Sequence, residues 1–343
     1  MLRAPEIWFP NLNIILYHVS RVAFTVFGVP IYWYGVCIVI GVALALLLGL
    51  REAKRTGQNP DNYMDFLIIA LICAIIGARL YYVAFTWDYY KDHLAQIVDI
   101  RQGGLAVYGG TIAAFLAAVV YTKRKKLNLG LFADTAAPSI AIGQAIGRWG
   151  NFFNREAFGG FTQNLFAMRI PVQDASGANA DVLAHTVAAS GATYIQVHPT
   201  FLYESAWDLL VFLALFLIRP KKAFHGQIII LYAMFYAVGR FFIEGLRTDQ
   251  LQLFGVAVSQ VVSAALVVIG LVAMIVLLNR KKKGLISLGI APASVPAEGE
   301  AAQTEEAAEQ ETEESEETVP VSEPESPEEE PEPCGESEDE PHA

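Results

Sequence analysis

The chain has 343 residues, of which 54% are hydrophobic and only 17% charged, and this composition excludes an ordinary soluble protein. The formal net charge of −11 comes from one end, because residues 291–343 hold 20 acidic residues and no Lys or Arg. The first 290 residues keep 15 acidic residues against all 24 basic ones, a formal charge of +9. The sequence therefore indicates an apolar, membrane-embedded body followed by an acidic extension.

In chain order, seven segments are apolar and long enough to cross a bilayer, which takes about 20 helical residues. They are residues 31–50, 66–85, 104–121, 131–149, 201–218, 227–244 and 256–278. The third, fourth and fifth contain Gly, Asp, Glu or Gln, and such polar spans commonly line an interior. The sequence predicts an all-α integral membrane protein with seven transmembrane helices, and residues 31–283 form its membrane domain.

The basic residues predict the direction of these helices, because Lys and Arg clusters are retained on the cytoplasmic side. Four clusters follow the first, third, fifth and seventh spans, at residues 51–55, 123–126, 219–222 and 280–283. Every second connection is therefore basic. This pattern places the N-terminus outside and the C-terminus in the cytoplasm.

Three further regions complete the predicted organisation. Residues 1–30 form an external segment without the features of a cleavable signal peptide, and the apolar side chains within residues 11–27 favour a short helix lying at the outer interface. Residues 150–200 are too long for a simple connection and predict an external cap region. Residues 284–343 alternate Glu with Pro, Ser and Ala and predict a disordered cytoplasmic tail, although a docking segment stays open as an alternative.

Polar residues recur with helical spacing in the sixth span. Tyr236, Arg240 and Glu244 are four residues apart, so they lie on one helical face, and Arg247 follows about one turn later. A structural ion pair between Arg240 and Glu244 would explain this pattern taken alone.

The fourth span ends with a second polar cluster. Arg148 follows Gln144 by four residues, and Asn151, Asn154 and Glu156 come directly after it. A guanidinium near a bilayer usually faces a partner, a phosphate or a water-filled cavity. Because two such arginine sites fall on the same predicted side of the membrane, we interpret them together as a site for an anionic phosphate.

Three other residues have two possible roles each. His198 precedes Pro199 and the fifth span, where it is either a hydrogen-bonding residue at the helix start or a supporting residue of the site. Glu204 lies inside that apolar span, so its carboxylate needs a partner, and an arginine of the cluster is favoured. Tyr108 stands between two glycine pairs as either an interfacial anchor or a catalytic phenol.

Several motifs in this order resemble those of one family, the bacterial prolipoprotein diacylglyceryl transferases. The motifs are VPIYWYG (29–35), GARLYYV (77–83), GGLAVYGG (103–110), GRWGNFFNREAFGG (147–160), HPTFLYE (198–204) and GRFFIEGLRTD (239–249). The resemblance implies a seven-span enzyme of the bacterial cytoplasmic membrane, with its active site toward the outer leaflet. The resemblance implies that this enzyme moves a diacylglyceryl group from phosphatidylglycerol to the thiol of the lipobox cysteine in a preprolipoprotein signal peptide, with release of glycerol phosphate.

By motif position, the resemblance also implies the functional residues. These are Arg148, Asn151, Glu156, Gly159, Arg240, Glu244, Tyr34 and Tyr236. One departure concerns the third-span motif, where many members have His and this chain has Tyr108. Imidazole takes a thiol proton near neutral pH more readily than a phenol does, so this departure argues against an obligatory histidine base. Glu244, Glu156 and Tyr108 stay open as proton acceptors, and we favour Glu244 as the residue that orients Arg240.

Other function classes fit the sequence less well. A headgroup transferase that uses cytidine-activated lipids would carry an aspartate-rich metal motif, and a transporter would show internal repeats. The sequence shows neither feature. A protein that holds lipid without chemistry stays open as an alternative. The three cysteines (Cys37, Cys73 and Cys334) are scattered and suggest neither a disulfide framework nor a metal site. We therefore expect no metal, no cofactor and no nucleic-acid partner, and the sequence leaves the oligomeric state open.

Overall fold

The computed structural model describes residues 5–100, 103–250, 252, 253 and 255–285. Within these residues the chain is mostly helical. The α-helices are α1 (Trp33–Arg55), α2 (Asp61–Phe85), α3 (Trp87–Tyr90), α4 (Val107–Arg124), α5 (Leu129–Asn154), α6 (Ala180–Ala184), α7 (Thr200–Ile218), α8 (Gln227–Glu244) and α9 (Val258–Lys282). The predicted acidic tail lies outside the described residues from residue 286 onward, as does Cys334.

Six helices in the described part of the chain are long and apolar enough to cross a membrane: α1, α2, α5, α7 with its short extension to Lys221, α8 and α9. The predicted multi-pass helical character is therefore confirmed. The third predicted span coincides with α4, which is 18 residues long but falls short of the same apolar standard. Its Gly109, Gly110, Lys123 and Arg124 dilute the apolar residues, so the third span, and with it the total of seven, stays a prediction.

The helix bounds differ from the apolar windows for local reasons. α1 begins at Trp33 because residues 29–32 form a strand, and it continues to Arg55 beyond the last apolar residue. α5 begins early because the side chain of Asn128 accepts a hydrogen bond from the backbone N–H of Leu131, which caps the helix.

Helix α5 lies at the centre of the membrane domain and packs against α1, α7 and α8, while α2 packs on α4 and α8 on α9. Glycines allow the closest approaches. A Cβ atom on Gly41 of α1 would lie 2.9 Å from the carbonyl oxygen of Gly143 in α5, and one on Gly77 of α2 would lie 2.7 Å from that of Gly109 in α4. These glycines serve helix association, as small residues do in membranes.

A five-stranded antiparallel sheet accompanies the helices, so the all-α prediction was incomplete. Two smaller sheets have two strands each. The strands of all three sheets are β1 (Ile7–Phe9), β2 (Ile14–Leu16), β3 (Val22–Val26), β4 (Val29–Tyr32), β5 (Met168–Pro171), β6 (Val187–Ala189), β7 (Ala192–Val197), β8 (Gln252–Leu253) and β9 (Val256–Ala257). The smaller sheets are β3-β4 and β8-β9, and the five-stranded sheet, which we call the cap sheet, has the order β2-β1-β5-β7-β6. Its buried core includes Ile7, Ile170 and Ile195, together with Phe152 of α5 and Phe201 of α7.

The predicted interfacial helix within residues 11–27 is wrong, because this region forms strands β2 and β3. Val22, Phe24 and Val26 alternate with Ala23 and Thr25, which is the period of a strand and not of a helix. β-Branched and aromatic side chains further favour extended backbone.

Two buried acids lie at the end of the membrane domain away from the cap sheet. Glu52 pairs with Arg55 at 2.6 Å and Arg219 at 2.9 Å. Asp134 pairs with Lys222 at 2.9 Å and accepts hydrogen bonds from the backbone N–H groups that begin α8. The basic connections after the first and fifth spans therefore meet at one end of the helices.

Candidate functional site

Glu204 connects three arginines at the end of the helices nearest the cap sheet. It lies in the second turn of α7 with a side chain only 6% exposed. One carboxylate oxygen is 2.8 Å from Nη1 of Arg148, and the other is 2.6 Å from Nη1 of Arg240 and 3.5 Å from Nη1 of Arg247. The predicted pairing of Glu204 with an arginine is confirmed, and the two arginines singled out in the sequence converge on it.

Each of the other two guanidinium groups has a second acid. Nη2 of Arg240 lies 2.5 Å from a carboxylate oxygen of Glu244, which confirms the ion pair expected from their spacing of four residues. Arg247 forms a fork with Asp249, through hydrogen bonds of 2.9 and 2.7 Å. Burial alone would raise the pKa of Asp249, but the Arg247 hydrogen bonds and positive charge hold that pKa below its usual range. Arg148, by contrast, pairs with Glu204 alone within the described residues.

Asp208 is a fourth acid that sequence reasoning missed. It lies one turn after Glu204 on the same face of α7, is buried, and has one carboxylate oxygen without a hydrogen-bond partner in the described chain. With Arg148, Tyr236 and Arg240 it lines a small cavity beneath the ion pairs. The spacing of four residues within an apolar span was the signal that could have identified it.

Tyrosines of α8 extend the polar network toward the interior. The hydroxyl of Tyr232 donates a hydrogen bond of 2.8 Å to the side-chain oxygen of Gln144, and the ring of Tyr232 stacks on that of Tyr236 with centroids 5.9 Å apart. Gln144 and Arg148 lie one turn apart on α5. The sixth-span and fourth-span clusters of the sequence therefore form one network.

Glu156 lies just past the end of α5, where two amides hold it. The side chains of Asn151 and Asn154 donate hydrogen bonds of 3.0 and 3.1 Å to the same carboxylate oxygen. Arg155 ends the helix with a φ of 55° and reaches Glu6 at 3.0 Å and the carbonyl of Val19 at 2.6 Å. The turn that presents Glu156 is thus tied to the N-terminal segment.

A long apolar cavity of about 530 Å³ ends at Arg148. Its wall along α1 runs from Tyr34 to Gly49, a rise of about 22 Å for fifteen helical residues. Tyr34, Arg148 and Asn151 stand at one end, and apolar residues of α1, α2 and α5 form most of the remainder. A Cβ atom on Gly150 would lie 2.7 Å from the ring of Tyr34, so this glycine makes room for the tyrosine.

Two pockets with a more polar lining than the apolar cavity, which we call the polar pockets, lie beside the same residues. One, of about 610 Å³, is lined by Tyr34, Asn154, Glu156 and Arg21 among others. The other, of about 430 Å³, is lined by Asn151, Glu156 and Arg247 among others. Because Tyr34 and Asn151 line both the apolar cavity and a polar pocket, they mark the boundary between the two environments.

Gly159 and His198 lie where the cap sheet joins α8. The N–H of Gly159 donates to the carbonyl of His198 at 2.9 Å, and the N–H of Gly160 donates to that of Leu246 at 2.9 Å. The imidazole Nδ1 of His198 is 3.3 Å from the hydroxyl of Tyr203 at the start of α7. His198 is therefore a hydrogen-bonding residue at the helix start, and burial lowers its pKa.

Tyr108 is not joined to the arginine network by any hydrogen bond in the described residues. It is the second residue of α4, and its side chain is 43% exposed. Arg79, another arginine in a predicted span, is occupied differently. Its guanidinium donates to five carbonyl oxygens, those of Gln96, Ile97, Asp99, Gly103 and Gly104. Arg79 thus holds the loop between α2 and α4 and has no donor left for a ligand.

Comparison with known proteins identifies the family of the chain that carries this network. The family model described as prolipoprotein diacylglyceryl transferase matches residues 21–276. The chain belongs to the prolipoprotein diacylglyceryl transferase family. It is 43% identical over 268 residues to the phosphatidylglycerol–prolipoprotein diacylglyceryl transferase of Clostridioides difficile (strain 630), which covers 78% of this chain and 99% of that protein.

Two further transferases of this family show the same extent of similarity. The one from Finegoldia magna is 44% identical over 257 residues, or 75% of this chain and 95% of that protein. The one from Bacillus mycoides is 42% identical over 267 residues, or 77% of this chain and 93% of that protein. The family match spans every residue of the arginine network, and the resemblance seen in the motifs is confirmed.

Proposed function

We propose that this chain transfers the diacylglyceryl group of phosphatidylglycerol to the lipobox cysteine thiol of a preprolipoprotein, the first step of bacterial lipoprotein maturation. One observation carries the proposal: Arg148 stands at the end of a long apolar cavity, beside Tyr34 and Asn151, which also line the two polar pockets. A phospholipid donor has the same division, with acyl chains on one side of its phosphate and a polar headgroup on the other. The family membership and the names of the relatives support the same reaction.

The proposed topology has seven spans, with α4 as the third, in the bacterial cytoplasmic membrane. The cap sheet and the arginine network face outward, since the basic connections after α1 and α7 gather at the other end of the helices. The α2–α4 packing supports α4 as a span, because α4 accompanies one of the most apolar helices along its length. The reaction then takes place at the outer leaflet.

In the proposed complex, an acyl chain occupies the apolar cavity and the phosphate lies beside Arg148. Glu204 takes Nη1 of Arg148, and the other N–H groups of this guanidinium have no acid partner among the described residues, so they can bind phosphate oxygens. Tyr34 and Asn151 complete the headgroup contact at the cavity end. Arg240 and Tyr236 lie across Glu204 and shape this end of the site from α8.

The chemistry is a displacement at the saturated glycerol carbon that bears the phosphate. A sulfur electron pair forms the C–S bond, the C–O bond breaks, and its electrons pass to the phosphate oxygen of departing glycerol phosphate. Arg148 stabilises the charge that grows on that oxygen, a contribution of about 3 kcal/mol for a comparable preorganised donor. Arg240 holds Glu204, Glu244 orients Arg240, and Arg247 supports the same carboxylate.

The thiol proton passes to a carboxylate in this proposal. Glu156 is favoured because it lines both polar pockets, whereas Glu244 is already paired with Arg240. Tyr108 remains the alternative acceptor from the sequence. Glu156→Gln should lower kcat by about 100-fold or more if Glu156 takes the proton, and Tyr108→Phe should do so if the phenol does.

No cofactor enters the proposed reaction, since the donor lipid carries its own leaving group. The decisive experiment incubates the purified protein in phosphatidylglycerol bilayers with a lipobox peptide. We expect a thioether-linked diacylglyceryl peptide by mass spectrometry and one glycerol phosphate released per peptide. A peptide with Ser for the lipobox Cys is the control. Lipid binding without either product would instead support a lipid-holding protein.

A further inference from the structure

The hairpin formed by β3 and β4 has an unusual residue at its tip. Val26 pairs with Val29, so the turn consists of Phe27 and Gly28, with φ values of 48° and 81°. Two-residue turns with positive φ favour Asn or Asp at the first position, and a bulky side chain there is strained. The Phe27 side chain is also fully exposed, at 104%. In water, an exposed Phe at this position would add backbone strain without any stabilisation from burial of its ring.

The chain contains a second turn of the same kind for comparison. Ser190 and Gly191 join β6 to β7 with φ values of 51° and 79°, and Ala189 pairs with Ala192 across the turn. Here the exposed first residue is polar, as expected at a solvated tip. The same backbone therefore carries Ser in the cap sheet and Phe in the β3–β4 hairpin.

Within the described residues, the β3–β4 hairpin is held mainly at its base, where it contacts α1 and where Arg21 donates a hydrogen bond to the carbonyl of Asp174. It forms its own two-stranded sheet, separate from the cap sheet. Phe24, Val26, Val29 and Tyr32 are all exposed, by 43% or more. An isolated hairpin with uncovered apolar side chains is at best marginally stable in water.

The apolar surface of the hairpin is continuous with that of α1. β4 ends at Tyr32 and α1 begins at Trp33, and α1 continues with exposed Ile38, Val39 and Ile40. Since α1 is long and apolar enough to cross a membrane, lipid covers its exposed side chains. The hairpin begins where that lipid-covered surface ends.

We propose that the tip of the β3–β4 hairpin inserts into the outer lipid leaflet and anchors the mouth of the site there. The unpaired strand edges keep the hairpin out of the hydrocarbon core, so the tip stops at the boundary between headgroups and acyl chains. Arg21 and Tyr32 lie together at the base of the hairpin, and both line the larger polar pocket with Tyr34. The inference rests on the proposed outward orientation of the site.

A nitroxide label measures the depth of the tip without any need for turnover. The background replaces Cys37 and Cys73 by Ala and Cys334 by Ser, and single variants Phe27→Cys and Ser190→Cys are labelled in phosphatidylglycerol nanodiscs. We expect the label at position 27 to be more accessible to oxygen than to a water-soluble nickel chelate, and the label at position 190 to show the opposite. Equal, water-like accessibility at both positions would overturn the proposal.

Kinetics test the role of the anchor at the mouth. Phe27→Asn places a favoured turn residue at the tip and removes the apolar side chain, whereas Phe27→Trp keeps an interfacial aromatic ring. We expect Phe27→Asn to raise KM for bilayer phosphatidylglycerol about fivefold at unchanged kcat, and Phe27→Trp to match the parent. An unchanged KM in Phe27→Asn would refute the anchoring role.

Two outcomes separate this inference from the proposed reaction. A membrane-inserted label on a protein that forms no thioether would leave the anchor in place and reject the transferase proposal. A label that becomes protected from both reagents only when the signal peptide is added would show that the tip binds peptide, and would reject the lipid anchor.

Discussion

Glu204 and Glu52 form matching ion-pair centres at opposite ends of the helices. Each is a buried carboxylate, with side chains 6% and 7% exposed, and each lies within 3 Å of two arginine side chains. Arg219, a partner of Glu52, follows the last residue of α7, whereas Glu204 lies near its start. Only the Glu204 centre adjoins the apolar cavity, through Arg148.

This symmetry provides a matched pair of substitutions. Removing one partner of a buried ion pair costs about 3–5 kcal/mol of folding free energy, so Glu204→Gln and Glu52→Gln should both lower the thermal unfolding temperature in detergent. Glu204→Gln should also lower kcat/KM by about 100-fold, because Arg148 and Arg240 lose their common anchor. Glu52→Gln should keep the activity of each folded molecule. Equal specific activity of the two variants would show that Glu204 has only a structural role.

The contact proposed for Arg148 depends on the shape of its guanidinium. Arg148→Lys keeps the charge but lacks the planar fork that binds two phosphate oxygens, so we expect kcat/KM to fall by about 100-fold or more. Arg79→Lys is the control, because the hydrogen bonds of Arg79 in the described part of the chain all go to backbone carbonyls. It should lower the unfolding temperature and leave specific activity within about twofold. Near-parental turnover in Arg148→Lys would argue against direct phosphate recognition.

Two adjacent glycines test the junction between the cap sheet and α8. A Cβ atom on Gly159 would lie 2.7 Å from the carbonyl oxygen of Leu246 and 2.8 Å from Cβ of His198, so Gly159→Ala must displace backbone. We expect it to destabilise the protein by about 1–3 kcal/mol and to lower activity, since Arg247 follows Leu246. Gly160 has open space around its Cβ position, and Gly160→Ala should behave like the parent. Comparable losses in both variants would contradict this steric explanation.

His198 makes a contribution to stability that depends on pH. Burial lowers its pKa in the folded protein, while the unfolded chain keeps a value of about 6.5. As pH falls below about 6.5, the unfolded chain therefore binds the proton first, and folding stability decreases until the lower, folded pKa is passed. Unfolding temperatures measured from pH 8 to pH 5 should fall less steeply in His198→Gln than in the parent. Parallel curves would mean that His198 is not buried in its neutral form.

The acidic extension should be dispensable for turnover. The family match ends at residue 276, before residues 291–343 begin. Deleting 291–343 should leave kcat and KM within about twofold, whereas deleting 271–343 removes the final turns of α9 and should destabilise the protein. The measurement is specific activity at equal amounts of folded protein. A large loss in the shorter deletion would assign the extension a role in catalysis.

The sequence predicted the long helices well because apolar length is a local property. It failed where the decision depends on distant partners. Strand β1 has three residues and pairs with β5, about 160 residues later, so no local sequence pattern predicts the cap sheet. In Val22–Val26 the apolar residues alternate in the sequence, which is the pattern of a strand. The segment forms strand β3 and not the predicted interfacial helix.

The site was predictable to the extent that helical spacing fixes it. The Arg240–Glu244 pair follows from positions four apart, and the need of Glu204 for an arginine follows from burial of charge. That Glu204 holds Arg148 and Arg240 together depends on how α5, α7 and α8 pack, which the spacing does not contain. Asp208 also follows Glu204 by four residues, but the apolar residues around it in the fifth span hid this signal.

The position of β1 between β2 and β5 in the cap sheet has a consequence for biosynthesis. Its neighbour β5 is made about 160 residues later, which at usual translation rates of about 5–20 residues per second means a wait of about 8–30 s. During that time the first strand must stay unpaired on one side while several helices insert. The hydroxyl of Tyr194 in β7 also donates to the carbonyl of Pro5, so an affinity tag fused ahead of β1 would lie close to this contact while the sheet forms. Purification tags therefore belong at the C-terminus.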